Sequence, residues 1–254
     1  NSYIYGAPYS LDRFGTGTLP INQSNFVVKG SLPDPEYQIA FELHTMLLEQ
    51  RITINELPKA VRQLEIEPVD VNKMKLIYEN NGASLIEIII ETNMQSINLF
   101  AEHMLTLIGL EKSNIGSTEN GISILETFWK EKINTDGLHI NDGSGLSRTN
   151  AISAQHYISL LEYMNKSKYA VEYKKSLPIA GVSGTLKSVC KGQSAQNRMY
   201  AKSGTMSRIK SYAGYIDGKS GKKYAFALIT NNYECSATAM RQKMESVFNA
   251  IANQ

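Results

Sequence analysis

The chain has 254 residues, 42% of them hydrophobic, enough for one large packed domain or one domain plus a piece of another. Its 26 basic and 24 acidic residues leave a net charge of +2, so charge gives no basis for a nucleic-acid or anionic-membrane partner. No apolar run reaches the length of a membrane span, because Glu87 and Glu91 break the longest one, around Leu85-Ile86 and Ile88-Ile89-Ile90.

Residues 1–33 are rich in Tyr, Gly, Ser and Asn, with Asn25-Phe26-Val27-Val28-Lys29 as an expected short strand. They hold too few apolar residues for a domain of their own and read as the tail of something larger. Pro33-Asp34-Pro35 then predicts a helix start, with Asp34 near the N-terminus and Pro35 in the first turn. Ile39, Ala40, Leu43, Leu47 and Leu48 follow near a 3.6 period. Residues 52–80 are mixed, with a strand-like piece at Met74–Tyr78.

Helices are expected over about 84–93 and 97–108, the second ending at Gly109, with Ser96 at their junction. Two more are expected near 118–133 and 151–165, and Asn150 is the candidate cap of the latter. From Arg198 the pattern changes to three strands, over 198–206, 210–216 and 223–230, with a turn at Asp217–Gly221. A closing amphipathic helix over about 237–251 carries Met240, Met244, Val247, Phe248 and Ile251 on one face. Helices, an antiparallel meander and a final helix make an α+β architecture with helices packed on the sheet. The two cysteines, Cys190 and Cys235, have neither metal-ligand spacing nor a Cys-x-x-Cys pairing. They read as free buried thiols, although spacing alone leaves a disulfide open.

Two short motifs carry chemistry. Ser96-Ile97-Asn98 is the one Ser-x-Asn in the chain. A Ser and an Asn at a helix junction often serve only as caps. Here they open an apolar helix, and a polar pair projecting into a cleft suits proton shuttling and substrate binding. Lys202-Ser203-Gly204-Thr205 lies in a strand context, where an interior Gly marks close approach by a ligand or another backbone. A Lys flanked by hydroxyls suits gripping a carboxylate. Lys219-Ser220-Gly221 repeats the tripeptide in a polar turn and reads as a solvated hairpin.

Other patterns carry less. Asp142-Gly143-Ser144-Gly145-Leu146-Ser147 lacks the last Gly of a nucleophile elbow and the Lys of a phosphate loop, and reads as a tight turn under the cleft. His44, His103, His139 and His156 have no ligand spacing and read as ordinary partly buried or surface histidines.

Ser-x-Asn followed by Lys-(Ser/Thr)-Gly is the order found in penicillin-recognising serine acyltransferases, whose first element, Ser-x-x-Lys, carries the nucleophile. No Ser-x-x-Lys precedes Ser96. The matches Ser188/Lys191, Ser207/Lys210 and Ser220/Lys223 fall in expected loop, strand or turn, where Lys is not held one helical turn after Ser, and none is assigned.

With the segments Val28–Pro35, Ala101-Glu102, Asp142–Arg148, Leu177–Leu186 and Ala201–Met206 added, the chain resembles the C-terminal portion of a class C penicillin-binding protein, a D-alanyl-D-alanine carboxypeptidase/endopeptidase. The family usually has Thr where Ser203 stands; a hydroxyl is kept. The resemblance implies a transpeptidase-like domain of the penicillin-binding/β-lactamase type. Residues 1–33 would be the tail of an inserted domain and 34–254 the resumed domain. The N-terminal half, with its nucleophile and some sheet strands, would be missing from this chain, leaving the sheet incomplete and one edge uncovered.

It further implies acyl transfer without metal or cofactor. Ser96 would pass a proton toward the leaving amine. Asn98 would hold the substrate amide, and Lys202 would stabilise negative charge and tune Ser96. Ser203, with Gly204 and Thr205, would bind the terminal carboxylate, and the Thr205 N–H would form half of an oxyanion hole. The implied partners are peptidoglycan stem peptides, β-lactams as inhibitors and the missing half of the same protein, in the periplasm or bacterial cell envelope. Three readings remain open: an active hydrolase with its front half elsewhere, a non-catalytic peptidoglycan-binding module, and an intact hydrolase of another type.

Overall fold

In the computed structural model, which describes residues 2–10, 12–28, 30–64 and 73–254, Asp34 and Pro35 start the first long helix as their side chains dictate. The Asp34 carboxylate accepts from the Tyr37 N–H at 3.1 Å, and Pro35 opens α1 (Pro35–Glu49), where its missing N–H costs nothing. The chain divides into two compact units, Asn1–Asn80 and Asn81–Gln254.

In the first unit, β1 (Ser2–Tyr5) pairs antiparallel with β2 (Phe14–Gly17), an element the sequence pattern does not announce. The expected strand at 25–29 does not form over 25–28: Asn25 adopts a left-handed turn conformation, φ 61°. Lys29 lies outside the described residues. Met74–Tyr78 is not a strand either; its apolar side chains are exposed, and propensity makes no strand without a partner to pair with. No residue of α1 is buried; Ile39 and Leu43 both face solvent.

The second unit is built on a three-stranded antiparallel sheet in the order β3 (Met199–Met206), β4 (Ile209–Asp217), β5 (Lys223–Asn231). Met199 lies opposite Ile216, Ser203 opposite Tyr212, and Tyr215 opposite Ala225. The two-residue side-chain period gives the sheet two apolar faces. Met199, Ala201, Tyr212, Ile216 and Phe226 meet Met244, Phe248 and Ala252 of α7 (Ala237–Ala252). Val247, expected on that helix's buried face, is exposed; Ala252 extends the apolar stripe instead. Tyr200, Ala213, Tyr215 and Ala225 face Leu161 of α5 (Ala154–Lys166) and Tyr173 of α6 (Ala170–Ser176). The Tyr215 hydroxyl donates to the Leu161 carbonyl at 2.7 Å and ties α5 to the sheet.

The remaining helices are α2 (Leu85–Gln95), α3 (Asn98–Ser113) and α4 (Thr118–Lys130). α3 does not stop at Gly109. Gly109 is buried inside it, where a Cβ would lie 2.7 Å from the Ile115 carbonyl and 3.2 Å from the Gly121 nitrogen. Helix crossing, not termination, explains that glycine, and Asn114 makes the left-handed cap. Ser153, not Asn150, caps α5. Asn150 instead closes the preceding turn, accepting from the Asn141 N–H at 2.7 Å. Cys190 is buried and Cys235 half-buried; both are free. Among the described residues no helix is long and apolar enough to cross a membrane.

Candidate active site

Ser84 opens α2 with a capping box: its hydroxyl takes the Glu87 N–H while the Glu87 carboxylate takes the Ser84 N–H. The Ser84 hydroxyl, donating to the Glu87 carboxylate at 2.7 Å, and then the Ser84 N–H hold that carboxyl below its ordinary range. The helix ends at Gln95, and Ser96 follows in the left-handed region, φ 57° and ψ 52°. For a residue with a Cβ this conformation costs about 1–2 kcal/mol. It turns the chain sharply enough for α3 to begin two residues later, at Asn98. Ser-x-Asn is therefore the elbow between two helices, with Ser96 as its strained residue.

Lys202 reaches that elbow from β3. Its Nζ donates to Ser96 Oγ at 2.8 Å and to the Ser203 carbonyl at 2.8 Å. Burial disfavours its charged form and lowers its pKa from the ordinary 10.5. Side-chain alternation puts Lys202 and Tyr200 on one face of β3 and Ala201 and Ser203 on the other. The Ser203 hydroxyl donates to Thr185 Oγ1 at 2.9 Å. Thr205 is exposed and accepts from Lys210 Nζ at 3.2 Å. At Gly204 the close neighbour is the cross-strand Ser211 side chain, 2.6 Å from where a Cβ would stand. Asn98 is exposed at the first turn of α3, and its side chain makes no hydrogen bond among the described residues.

The backbone of β3 adds a second property. The Ala180 N–H bonds the Met199 carbonyl and the Ala201 N–H bonds the Pro178 carbonyl, so residues 178–180 cover the first part of the outer edge. Backbone groups alternate sides along a strand. The edge-facing set is thus 199, 201, 203 and 205, which directs the Ser203 and Thr205 backbone groups outward beyond that cover. An extended peptide or a developing oxyanion can be hydrogen-bonded there.

The Asp142–Ser147 turn is fastened to α3. Glu102, one turn after Asn98, accepts the Gly143 and Ser144 N–H groups at 2.9 Å each. Asp142 organises the turn from inside, accepting from the Gly145 N–H at 2.8 Å and the Ser147 N–H at 2.6 Å. Burial pushes the Asp142 carboxyl up, but the hydrogen bonds from Asn150 and the Ser147, Gly145 and Leu146 N–H groups outweigh it and leave it below its ordinary value. Glu102 and Thr185 lie in segments that carry the resemblance, but their contacts have no local sequence signal, since each acts on a segment distant in the chain. Lys219 is exposed in its turn. His156 is buried and accepts the Ser153 N–H through Nδ1, a capping role. Among the described residues no group of three or more His, Cys, Asp or Glu is placed to hold a metal ion.

The model of the D-Ala-D-Ala carboxypeptidase 3 (S13) family matches residues 13–254. The D-alanyl-D-alanine carboxypeptidase of Actinomadura sp. strain R39 is 29% identical over 240 residues, covering 92% of this chain and 44% of that protein. Carboxypeptidase DacB of Mycolicibacterium smegmatis is 30% identical over 186 residues, 66% of this chain and 40% of that protein. The chain thus spans less than half the length of these relatives. Among solved structures, penicillin binding protein 4 of Haemophilus influenzae matches with a TM-score of 0.62 at 22% identity, over 66% of this chain and 40% of that one. A predatory endopeptidase of Bdellovibrio bacteriovorus, solved with an immunity protein, matches with a TM-score of 0.54 at 20% identity, over 83% of this chain and 56% of that one. These two likenesses speak for the α+β fold. The match over nearly the whole chain carries the assignment: the chain belongs to the D-Ala-D-Ala carboxypeptidase 3 (S13) family.

Proposed function

We propose that this chain supplies the proton-transfer and substrate-recognition side of a serine-type D-alanyl-D-alanine carboxypeptidase/endopeptidase acting on peptidoglycan stem peptides. On this reading residues 1–33 are the tail of an inserted domain and 34–254 the resumed transpeptidase-like domain. The nucleophilic Ser and its Lys base belong to a segment outside these 254 residues, which completes the sheet. The single observation that carries the reading is the 2.8 Å contact between Lys202 Nζ and Ser96 Oγ, which joins two motifs 106 positions apart.

The chemistry is acyl transfer. The nucleophile's oxygen bonds to the carbonyl carbon between two D-alanines, and its proton goes to the base. The C–N bond then breaks as Ser96 Oγ passes its proton to the leaving amine and takes up in its place the proton the base received. Lys202, donating to that same oxygen, stabilises the negative charge that develops on it. Asn98 takes the substrate amide, and its free, exposed side chain is available for that. Ser203, with Gly204 and Thr205, receives the terminal carboxylate. The outward-facing Thr205 N–H supplies half of the oxyanion hole. Water then cleaves the ester. β-Lactams acylate the same nucleophile, and the enzyme works in the cell envelope.

Intact-mass analysis after incubation with benzylpenicillin tests this. The full-length protein should gain one acyl adduct, and the 254-residue chain alone none. An adduct on a serine of this chain would overturn the assignment of the nucleophile to another segment. A full-length protein that binds stem peptide and cleaves nothing would make it a binding module.

A further inference from the structure

The Ser203 hydroxyl has a partner that acyl transfer does not require. Thr185 Oγ1 accepts its proton at 2.9 Å. Thr185 stands in a 3-10 turn, Gly184–Leu186, fixed from both sides. Behind it, Leu186 is fully buried in the core against α7. In front, Gly184 sits at φ +54°, where a Cβ would fall 2.6 Å from the Met94 carbonyl of α2. Ser183 adds a third tie, accepting the Ile179 N–H at 3.0 Å. The turn is therefore wedged between the end of α2, which positions Ser96, and the edge of β3, which positions Ser203. Thr185 itself is exposed beside Ser203.

We propose that Thr185 is a positioning residue for recognition of the substrate's terminal carboxylate, acting through Ser203; the inference rests on the proposed carboxypeptidase function. A serine has no β-branch, and its hydroxyl can occupy three staggered wells, whereas a threonine at the same place would be stiffer at χ1. Thr185 supplies the missing restraint by holding the Ser203 hydroxyl in one well. When a carboxylate arrives, both hydroxyls rotate without any proton changing owner. Thr185 O–H turns to donate into Ser203 Oγ, and Ser203 O–H turns to donate to the carboxylate. Ser203 then both accepts and donates, and each bond polarises the other.

The test is acylation of the full-length protein by benzylpenicillin and by its methyl ester, which lacks the carboxylate charge. Thr185→Val keeps shape and removes the hydroxyl. It should slow acylation by the acid about fivefold, the size of one neutral hydrogen bond, and leave the slower ester reaction unchanged. Thr185→Ser should restore the acid rate, and Ser203→Thr in the Thr185→Val background should recover part of it by stiffening χ1. If Thr185→Val does not give a cooperative melt, Thr185→Ala read with the same two reagents decides. Equal effects on acid and ester, or no effect on either, would overturn the role of Thr185 and leave the proposed function standing. A wild-type protein acylated by neither reagent would sink the proposed function and this inference with it.

Discussion

Ser96 holds a left-handed backbone, φ 57°, at the one place where its hydroxyl lies 2.8 Å from Lys202 Nζ. Strain and contact belong together: the αL residue ends α2, and its oxygen lies where the lysine from β3 arrives. Non-glycine residues persist in this conformation when the surroundings over-determine it, and they concentrate at functional sites.

Glycine and alanine at position 96 separate the two properties. Both remove the hydroxyl, and both should lower acylation of the full-length protein by on the order of a hundredfold, the low end for a general acid. Only glycine relieves the backbone. Ser96→Gly should be more stable than Ser96→Ala by about 1–2 kcal/mol in denaturant unfolding. Equal stabilities would show that the conformation costs nothing here.

Lys202 and Lys219 sit in the same tripeptide, one half-buried against Ser96 and one exposed. Lys202→Ala should cost acylation on the order of 3 kcal/mol, about a hundredfold, as for loss of one preorganised charge-stabilising group. Lys219→Ala should change the rate less than twofold. Indistinguishable rates for the two variants, measured with the same penicillin, would remove Lys202 from the site.

Burial lowers the Lys202 pKa from 10.5, and the sign of the consequence follows. Between the lowered value and 10.5 the folded protein binds fewer protons at this group than the unfolded chain does. Lys202 therefore costs stability at neutral pH, and that cost is relieved as pH rises through the lowered pKa toward 10.5. Activity that needs the ammonium form should fall over the same window, with a midpoint below 10.5. Lys202→Arg stays charged throughout and should remove that basic limb from the kcat/KM profile, whatever rate remains. A limb that persists unchanged in the arginine variant would belong to another group.

Glu102 is the acceptor for two backbone N–H groups of the Asp142–Ser147 turn. Glu102→Ala should release the turn at a cost of about 1.5–3 kcal/mol, the range for a hydrogen bond to a charged group. Glu102→Gln, with one carbonyl oxygen left, should lie between alanine and wild type. Hydrogen exchange is the direct readout, because Gly143 and Ser144 should lose protection first. Protection that survives in the alanine variant would mean that the Asp142 bonds hold the turn alone.

Much of this was legible in the chain, for a physical reason. Helix starts, turns and strand alternation are set by neighbours within a few residues. Asp34 with Pro35, the 3.6 period of the helices and the Asp217–Gly221 turn therefore announce themselves, as does the α+β class. The motifs Ser96-Ile97-Asn98 and Lys202-Ser203-Gly204 are equally local, and their order points to the family. Where a local signal serves a distant partner, it misleads. Gly109 looks like a helix stop but is where α4 crosses α3. The Met74–Tyr78 run looks like a strand but pairs with nothing among the described residues. Asn150 looks like a cap but closes the Asp142 turn. The site has the same division. Residue types at 96 and 202 are written in the sequence, whereas the 2.8 Å contact, the lysine's desolvation, the Glu102 tether and the Thr185–Ser203 pair exist only after the sheet and helices pack. Each of them joins residues 18 to 106 positions apart, and only burial of the faces between those segments brings them together.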